Sequence, residues 1–241
     1  MKILLFCNQC IAEKRENIKG YFVNYNDEGI YKEKCIHGHI FYTISLNERF
    51  MELFDIAYYA LKDGYYRETV ASSTAALERF YEFCIKVFLK KSEITENEFN
   101  KAWKNIKNQS ERQLGAYYFL YLNHMKKNPN MLSERAVSFR NNVIHKGKIP
   151  TYNESREYLI EIYNIINQTL FELNKEFKLE IDIVRNNFKA EKQKKIPNEI
   201  GKYTITTPKS FISIDKINER PEFGEKEKEI EAIYRIHKKN N

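Results

Sequence analysis

The chain has 241 residues, 42% of them hydrophobic, which is enough for one large core or for a small and a medium one. Tyr (17) and Phe (16) are abundant while Gly (8) and Pro (5) are scarce, which disfavours a turn-rich all-β protein and suits long helices. The formal net charge of +7 is compatible with a nucleic-acid partner without requiring one.

The first element, Lys2–Phe6, is an apolar run too short for a signal peptide; Asn8, Gln9 and then charged residues follow at once. It reads as a β-strand. Tyr21–Tyr25, Ile30–Cys35 and Ile40–Ser45 read as further strands, with Asn26-Asp27-Glu28-Gly29 as a turn. A hairpin of the second and third strands is expected to hold two cysteine-bearing turns together. From Asn47 the period becomes helical. Helices are predicted over Asn47–Leu61, Arg67–Leu89, Thr95–Ile106, Leu114–Met125, Ser133–His145 and Thr151–Phe177, with Thr95 and Glu98 as a start signal. Ile181–Ala190 extends or repeats the last of these. Tyr203–Thr207 and Phe211–Ile214 look strand-like, and Glu225–His237 helical. No stretch reaches the roughly 20 apolar residues of a membrane span. The expected organisation is therefore mainly α: a small β unit over 1–45, a helical bundle over 46–190, and a C-terminal appendage over 191–241.

Three of the four cysteines fall in the first 35 residues. In a cytoplasmic protein, the expected location, such a cluster points to metal rather than to disulfides. Cys7-Asn8-Gln9-Cys10 is a Cys-x-x-Cys turn, and Cys35-Ile36-His37-Gly38-His39 follows after 24 residues. Thiolate and imidazole donors suit Zn²⁺ in a tetrahedron. The ligand set is Cys7, Cys10, Cys35 and His39, preferred because the longer loop lets its ring reach back; His37 is the alternative. Four protein ligands leave no open position, so the zinc is expected to be structural. Cys84 sits on an apolar helical stripe and reads as a core residue.

The second constellation is Phe139-Arg140-Asn141-Asn142-Val143-Ile144-His145-Lys146-Gly147. An imidazole works near neutral pH as acid or base, and a guanidinium grips phosphate in two places. Asn141 and His145 are i,i+4 and share a helix face; Arg140 lies about 140° from His145 at roughly 100° per residue. A single helix therefore does not complete a site unaided. Upstream stands Asp63-Gly64-Tyr65-Tyr66-Arg67, leading into Ala75-Ala76-Leu77-Glu78; downstream, Ile149-Pro150-Thr151-Tyr152 opens a long helix. Together these resemble the HEPN superfamily of helical bundles over roughly residues 47–175.

That resemblance implies metal-independent RNA cleavage by a homodimer with a composite site. By analogy Arg140 binds the scissile phosphate, His145 is the acid/base and Asn141 positions them. Glu78, Lys146 and Tyr152 are further substrate-contact candidates, Glu78 as a residue that orients Arg140 or His145. The resemblance extends to toxins and antiviral defence effectors, hence to a regulatory protein or antitoxin as partner. A nucleotidyl-modified Tyr152 in a toxin–antitoxin pair is a narrower version. The rival is a non-catalytic zinc-ribbon/helical module that binds nucleic acid or protein. The tyrosine pairs, Tyr58-Tyr59, Tyr65-Tyr66 and Tyr117-Tyr118, read as core and dimer face rather than as base-stacking platforms.

Overall fold

The computed structural model describes residues 2–196, 203–214 and 220–239. The element order is β1 (Lys2–Phe6), α1 (Asn8–Ala12), β2 (Gly20–Asn24), β3 (Ile30–Lys34), β4 (Ile40–Ser45), α2 (Arg49–Lys62), α3 (Tyr66–Lys91), α4 (Glu96–Trp103), α5 (Ser110–Met125), α6 (Glu134–His145), α7 (Tyr152–Glu176), α8 (Lys178–Gln193), β5 (Thr204–Thr206) and α9 (Phe223–Lys239). The protein is mainly helical with a small β region. The chain divides into two compact units: Met1–Asn47 with Arg185–Lys209 and Glu229–Asn241, and Glu48–Val184 with Ser210–Lys228.

In the first unit β1 pairs antiparallel with β2 (Phe6↔Gly20), and β3 pairs antiparallel with β4 (Lys34↔Ile40). The expected hairpin of the second and third strands is not formed. Asn26 explains the redirection: its Oδ1 accepts from the Gly29 N–H (2.7 Å) and its Nδ2 donates to the Ile30 carbonyl (3.0 Å). This Asx-type turn delivers the chain from one sheet to the other. Each cysteine turn is therefore the loop of its own hairpin. Ile3, Leu5, Tyr31 and Phe41 form the small core with the cysteines.

The segment expected as an appendage is built into both units. β5 pairs parallel with β4 (Ile44↔Ile205), and Lys192 donates to the Ser45 carbonyl at 2.8 Å. Residues 197–202, 215–219, 240 and 241 of that segment lie outside the described residues. Phe211–Ile214, expected as a strand, is irregular. Phe211 is instead a fully buried plug of the helical unit, its ring 4.8 Å from those of Tyr58 and Phe223, 5.4 Å from Phe54 and 5.5 Å from Tyr163. The Phe211 N–H donates to Asp55 Oδ1 at 2.8 Å. Four aromatic partners and a buried acceptor outweigh a local strand preference.

The helical unit is organised around α3, packed against α2, α5, α6 and α7. Its stripe Val70, Ala76, Leu77, Phe80, Phe83, Cys84, Val87 and Phe88 is buried. Cys84 is fully enclosed, and burial pushes its thiol well up. Helix starts are set by local caps. Thr95 accepts from Glu98 N–H, Ser133 from Ala136 N–H, and Thr151 and Glu154 form a reciprocal capping box. At the end of α6, Gly147 takes φ +72°, a left-handed turn that a Cβ would disfavour, and lets Lys148 N–H bond the Asn142 carbonyl at 3.0 Å.

Candidate functional site

The first candidate is the cysteine cluster. Cys7 lies just after β1, and Cys10 lies on the single turn of α1. Cys35 and His39 flank the β3–β4 turn. Gly38 holds that turn at φ +85° while its N–H bonds the Cys35 carbonyl at 2.9 Å. One donor atom from each of Cys7, Cys10, Cys35 and His39 lies within 4.8 Å of all the others. Cys10 Sγ is 3.6 Å from Cys35 Sγ and 3.4 Å from His39 Nδ1, and Cys7 Sγ is 3.8 Å from the same nitrogen. His37 also comes near, its Nδ1 3.3 Å from Cys10 Sγ. The four residues could hold a metal ion.

Two of the thiols depart from the ordinary cysteine range in opposite directions. Burial, then hydrogen bonding to Cys35 and Cys7, pushes the Cys10 thiol up to about 12. Burial also opposes ionisation of Cys35, but bonds from the His39 and His37 backbone and from Cys10 and Cys7 outweigh it and draw that thiol down. A cation beside Cys10 and Cys35 would favour their thiolate forms. Sequence reasoning missed Glu13. Its Oε1 lies 3.8 Å from His39 Nε2, the nitrogen facing away from the cluster. That leaves Nδ1 for the metal, an outer-shell arrangement common to histidine ligands.

The second candidate lies wholly in the helical unit. A cavity of about 570 Å³ opens between α3, α5 and α6. Five predicted site residues on two elements line it: Glu78 from α3, and Arg140, Asn141, His145 and Lys146 from α6 and its C-terminal end. Glu78 comes from the α3 face that also carries Thr74, Leu77 and Tyr81. Arg140 and Asn141 come from the middle of α6, His145 and Lys146 from its end. The start of α6 is fixed by Glu161, which accepts from the Ser133 N–H at 2.6 Å.

Arg140 Nη1 donates to Asn141 Oδ1 at 2.8 Å. Thr74 and Tyr158 share a 2.9 Å hydrogen bond between α3 and α7. Burial pushes the Tyr158 hydroxyl up, Arg140 draws it down and Glu78 pushes it up again. Both charges are therefore felt at one phenol. His145 and Lys146 are exposed at the cavity edge. Tyr152 does not line this cavity. It stands at the start of α7, edge-on to Tyr66 at a ring distance of 6.0 Å.

Sequence reasoning missed the α5 contribution, Ser110, Glu111 and Leu114. Buried Gln113 anchors that end: it accepts from Arg79 at 3.0 Å and donates to the Lys107 carbonyl at 2.7 Å. No local signal marks Glu111, because its place depends on how α5 docks on α3. Among the described residues no helix is long and apolar enough to cross a membrane. Compared with known protein families, characterised proteins and solved structures, the chain has no match.

Proposed function

We propose that the protein is a metal-independent endoribonuclease of HEPN type that acts as a homodimer. The carrying observation is that Arg140, Asn141 and His145 line one cavity with Glu78 and Lys146. The reaction is attack of the RNA 2′-OH on the adjacent phosphorus: a P–O2′ bond forms, the P–O5′ bond breaks, and a 2′,3′-cyclic phosphate and a free 5′-hydroxyl result. A base takes the 2′ proton and an acid supplies one to the leaving oxygen. Arg140 offsets the charge that builds on the phosphoryl oxygens. The cavity holds one histidine, so a second copy facing it supplies the other half of the acid–base pair. A toxin or antiviral defence effector, held in check by a regulatory protein, fits this activity.

The cysteine cluster is a structural zinc site in this reading. In a tetrahedron with Zn–S near 2.3 Å and Zn–N near 2.0–2.1 Å, sulfur–sulfur edges are about 3.8 Å and sulfur–nitrogen edges about 3.5 Å. The 3.6 Å separation of Cys10 and Cys35 Sγ and the 3.4–3.8 Å separations from sulfur to His39 Nδ1 lie close to those figures. Bound zinc would supply cohesion to the small unit, not chemistry.

The test is incubation of purified protein with mixed RNA in EDTA. Cutting that yields cyclic-phosphate ends, and that His145→Ala removes, is expected. No cutting at any protein concentration, or undiminished cutting by the variant, overturns the reading. A second reading, a non-catalytic module binding nucleic acid or a protein partner, has one observation in its favour. Phe119 and Leu122 stand exposed three residues apart on α5, Phe119 at 72%. It predicts retained binding after Arg140→Ala and His145→Ala.

A further inference from the structure

The cavity beside Arg140 is larger and more apolar than phosphate binding alone requires. Leu77, Leu114, Leu132 and Val137 form much of its wall, and its volume of about 570 Å³ lies in the range of small-molecule pockets, about 300–1,000 Å³. Two carboxylates, Glu78 and Glu111, also line it. Two other acids of α3 and α7 are bridged: Glu82 by Arg79 and Lys86, and Glu172 by Lys127, Tyr121 and Gln168. Among the described residues, Glu78 and Glu111 have no hydrogen-bond or ion-pair partner. They also do not pair with Arg140 or Lys146, although all four line the same cavity. Half-buried Glu78 is thus an acceptor facing an apolar cavity with nothing donating to it. A ligand that fills the cavity displaces water from Glu78 and must offer it a donor in exchange.

We propose that this cavity is a nucleobase pocket that selects bases bearing amino groups, with Glu78 as the specificity-determining acceptor. The inference rests on the ribonuclease reading of the same site. RNA-binding proteins that read sequence take an unstacked base and bind its Watson–Crick edge. Apolar walls suit the faces of a base, and the two cations of the lining, Arg140 and Lys146, suit its 3′-phosphate. An ionised carboxylate only accepts hydrogen bonds. Adenine and cytosine each offer it an amino group, and guanine offers an N–H and an amino group side by side. Uracil offers one N–H between two carbonyl oxygens, whose lone pairs repel the carboxylate. Guanine therefore binds best and uracil worst.

The test is binding of guanosine, adenosine, cytidine and uridine 3′-monophosphates to the full-length protein, by calorimetry up to millimolar ligand. At least one amino-bearing monophosphate is expected to bind about tenfold or more tighter than uridine 3′-monophosphate, a margin set by one or two charged hydrogen bonds. Glu78→Gln, whose amide both donates and accepts, is expected to collapse that margin; circular dichroism checks its fold. Uridine 3′-monophosphate binding as tightly as the best of the others, no binding of any of them, or an unchanged ranking in folded Glu78→Gln overturns the proposal. The wild-type ranking decides even where the variant misfolds. Cleavage in EDTA is scored on the same preparation. A protein that cuts RNA but does not rank the four loses the pocket and keeps the nuclease. One that ranks them but does not cut keeps the pocket and loses the nuclease.

Discussion

Arg140 reaches sideways to its own chain neighbour, donating from Nη1 to Oδ1 of Asn141 at 2.8 Å. Successive helical residues point about 100° apart, so this bond swings the guanidinium towards the face that Asn141 shares with His145. Helical geometry alone separates Arg140 from His145. The length of the arginine and the adjacent amide bring them to one cavity. The amide is thus a positioning group for the cation.

If the site cleaves RNA, Arg140→Ala and His145→Ala each lower the cleavage rate by about 10²-fold or more, the usual scale for a lost acid–base or charge-stabilising group. Asn141→Ala lowers it less, because the arginine survives but loses its anchor. His145 is exposed and Arg140 half-buried, so thermal melting should be nearly unchanged. Rates from a labelled RNA, set beside melting curves, check this. A large melting shift in His145→Ala would assign the residue to folding instead.

The protein as purified should carry about one zinc ion per chain by elemental mass spectrometry. Cys10→Ser should lose most of it, because Cys10 is the donor closest to both Cys35 and His39. A closed thiolate site contributes its binding energy to folding. Proteolysis in the first 47 residues should therefore increase in the variant and in protein stripped by a strong thiol-competing chelator. Full metal content in Cys10→Ser would remove the cluster from consideration.

Thr151 closes the capping box of α7, with Glu154 N–H donating to its Oγ1 at 3.3 Å and its own N–H donating to Glu154 at 2.9 Å. Lys148, then the Thr151 bonds, hold the Glu154 carboxyl down at about 2. Thr151→Ala removes the hydroxyl and should cost about 1 kcal/mol. For a chain of this size that is roughly 2–4 °C in melting temperature. Thr151→Ser, which keeps the acceptor, should recover most of it.

Asp55 carries a pH dependence of unusual sign. It is fully buried, and burial pushes its carboxyl up from 3.8 to about 7, against the opposing Phe211 N–H; Glu52 raises it and Lys226 lowers it. Between those values the folded protein holds a proton that the unfolded chain has released. This group's stabilising contribution is full below about pH 4 and is lost as pH rises through 7, on the order of a few kcal/mol. Melting temperature should fall from pH 5 to pH 8, by roughly 5 °C or more. Asp55→Asn keeps an oxygen for the Phe211 N–H and should flatten the profile. An equally steep fall in Asp55→Asn would assign the slope to other groups.

Much of this was legible in the sequence because it is decided locally. The 3.6-residue period and the caps at Thr95, Ser133 and Thr151 mark helices within a few residues of where they lie. The cysteine turns were legible for the same reason: a Cys-x-x-Cys turn and a glycine turn each prepare half a cluster. Strand pairing was not. β1 could pair with β2 or β2 with β3 on local preference alone, and the choice was made by the Asn26 turn and the small core around Ile3 and Phe41. Phe211 looked like a strand residue and is a plug, because three of its four aromatic partners, Phe54, Tyr58 and Tyr163, come from distant positions along the chain.

The sequence by itself determined a mainly helical chain, a four-donor cysteine and histidine set, a core role for Cys84, and a helix carrying Arg140, Asn141 and His145. Only the tertiary structure decided that Glu78 and Glu111 face that helix across an apolar cavity, that Tyr152 does not, and that the C-terminal segment completes both units. The physical reason is range. Hydrogen-bond caps and side-chain periodicity act within a few residues and leave a local imprint. Burial acts between elements brought together only by packing, and no short window of residues records it.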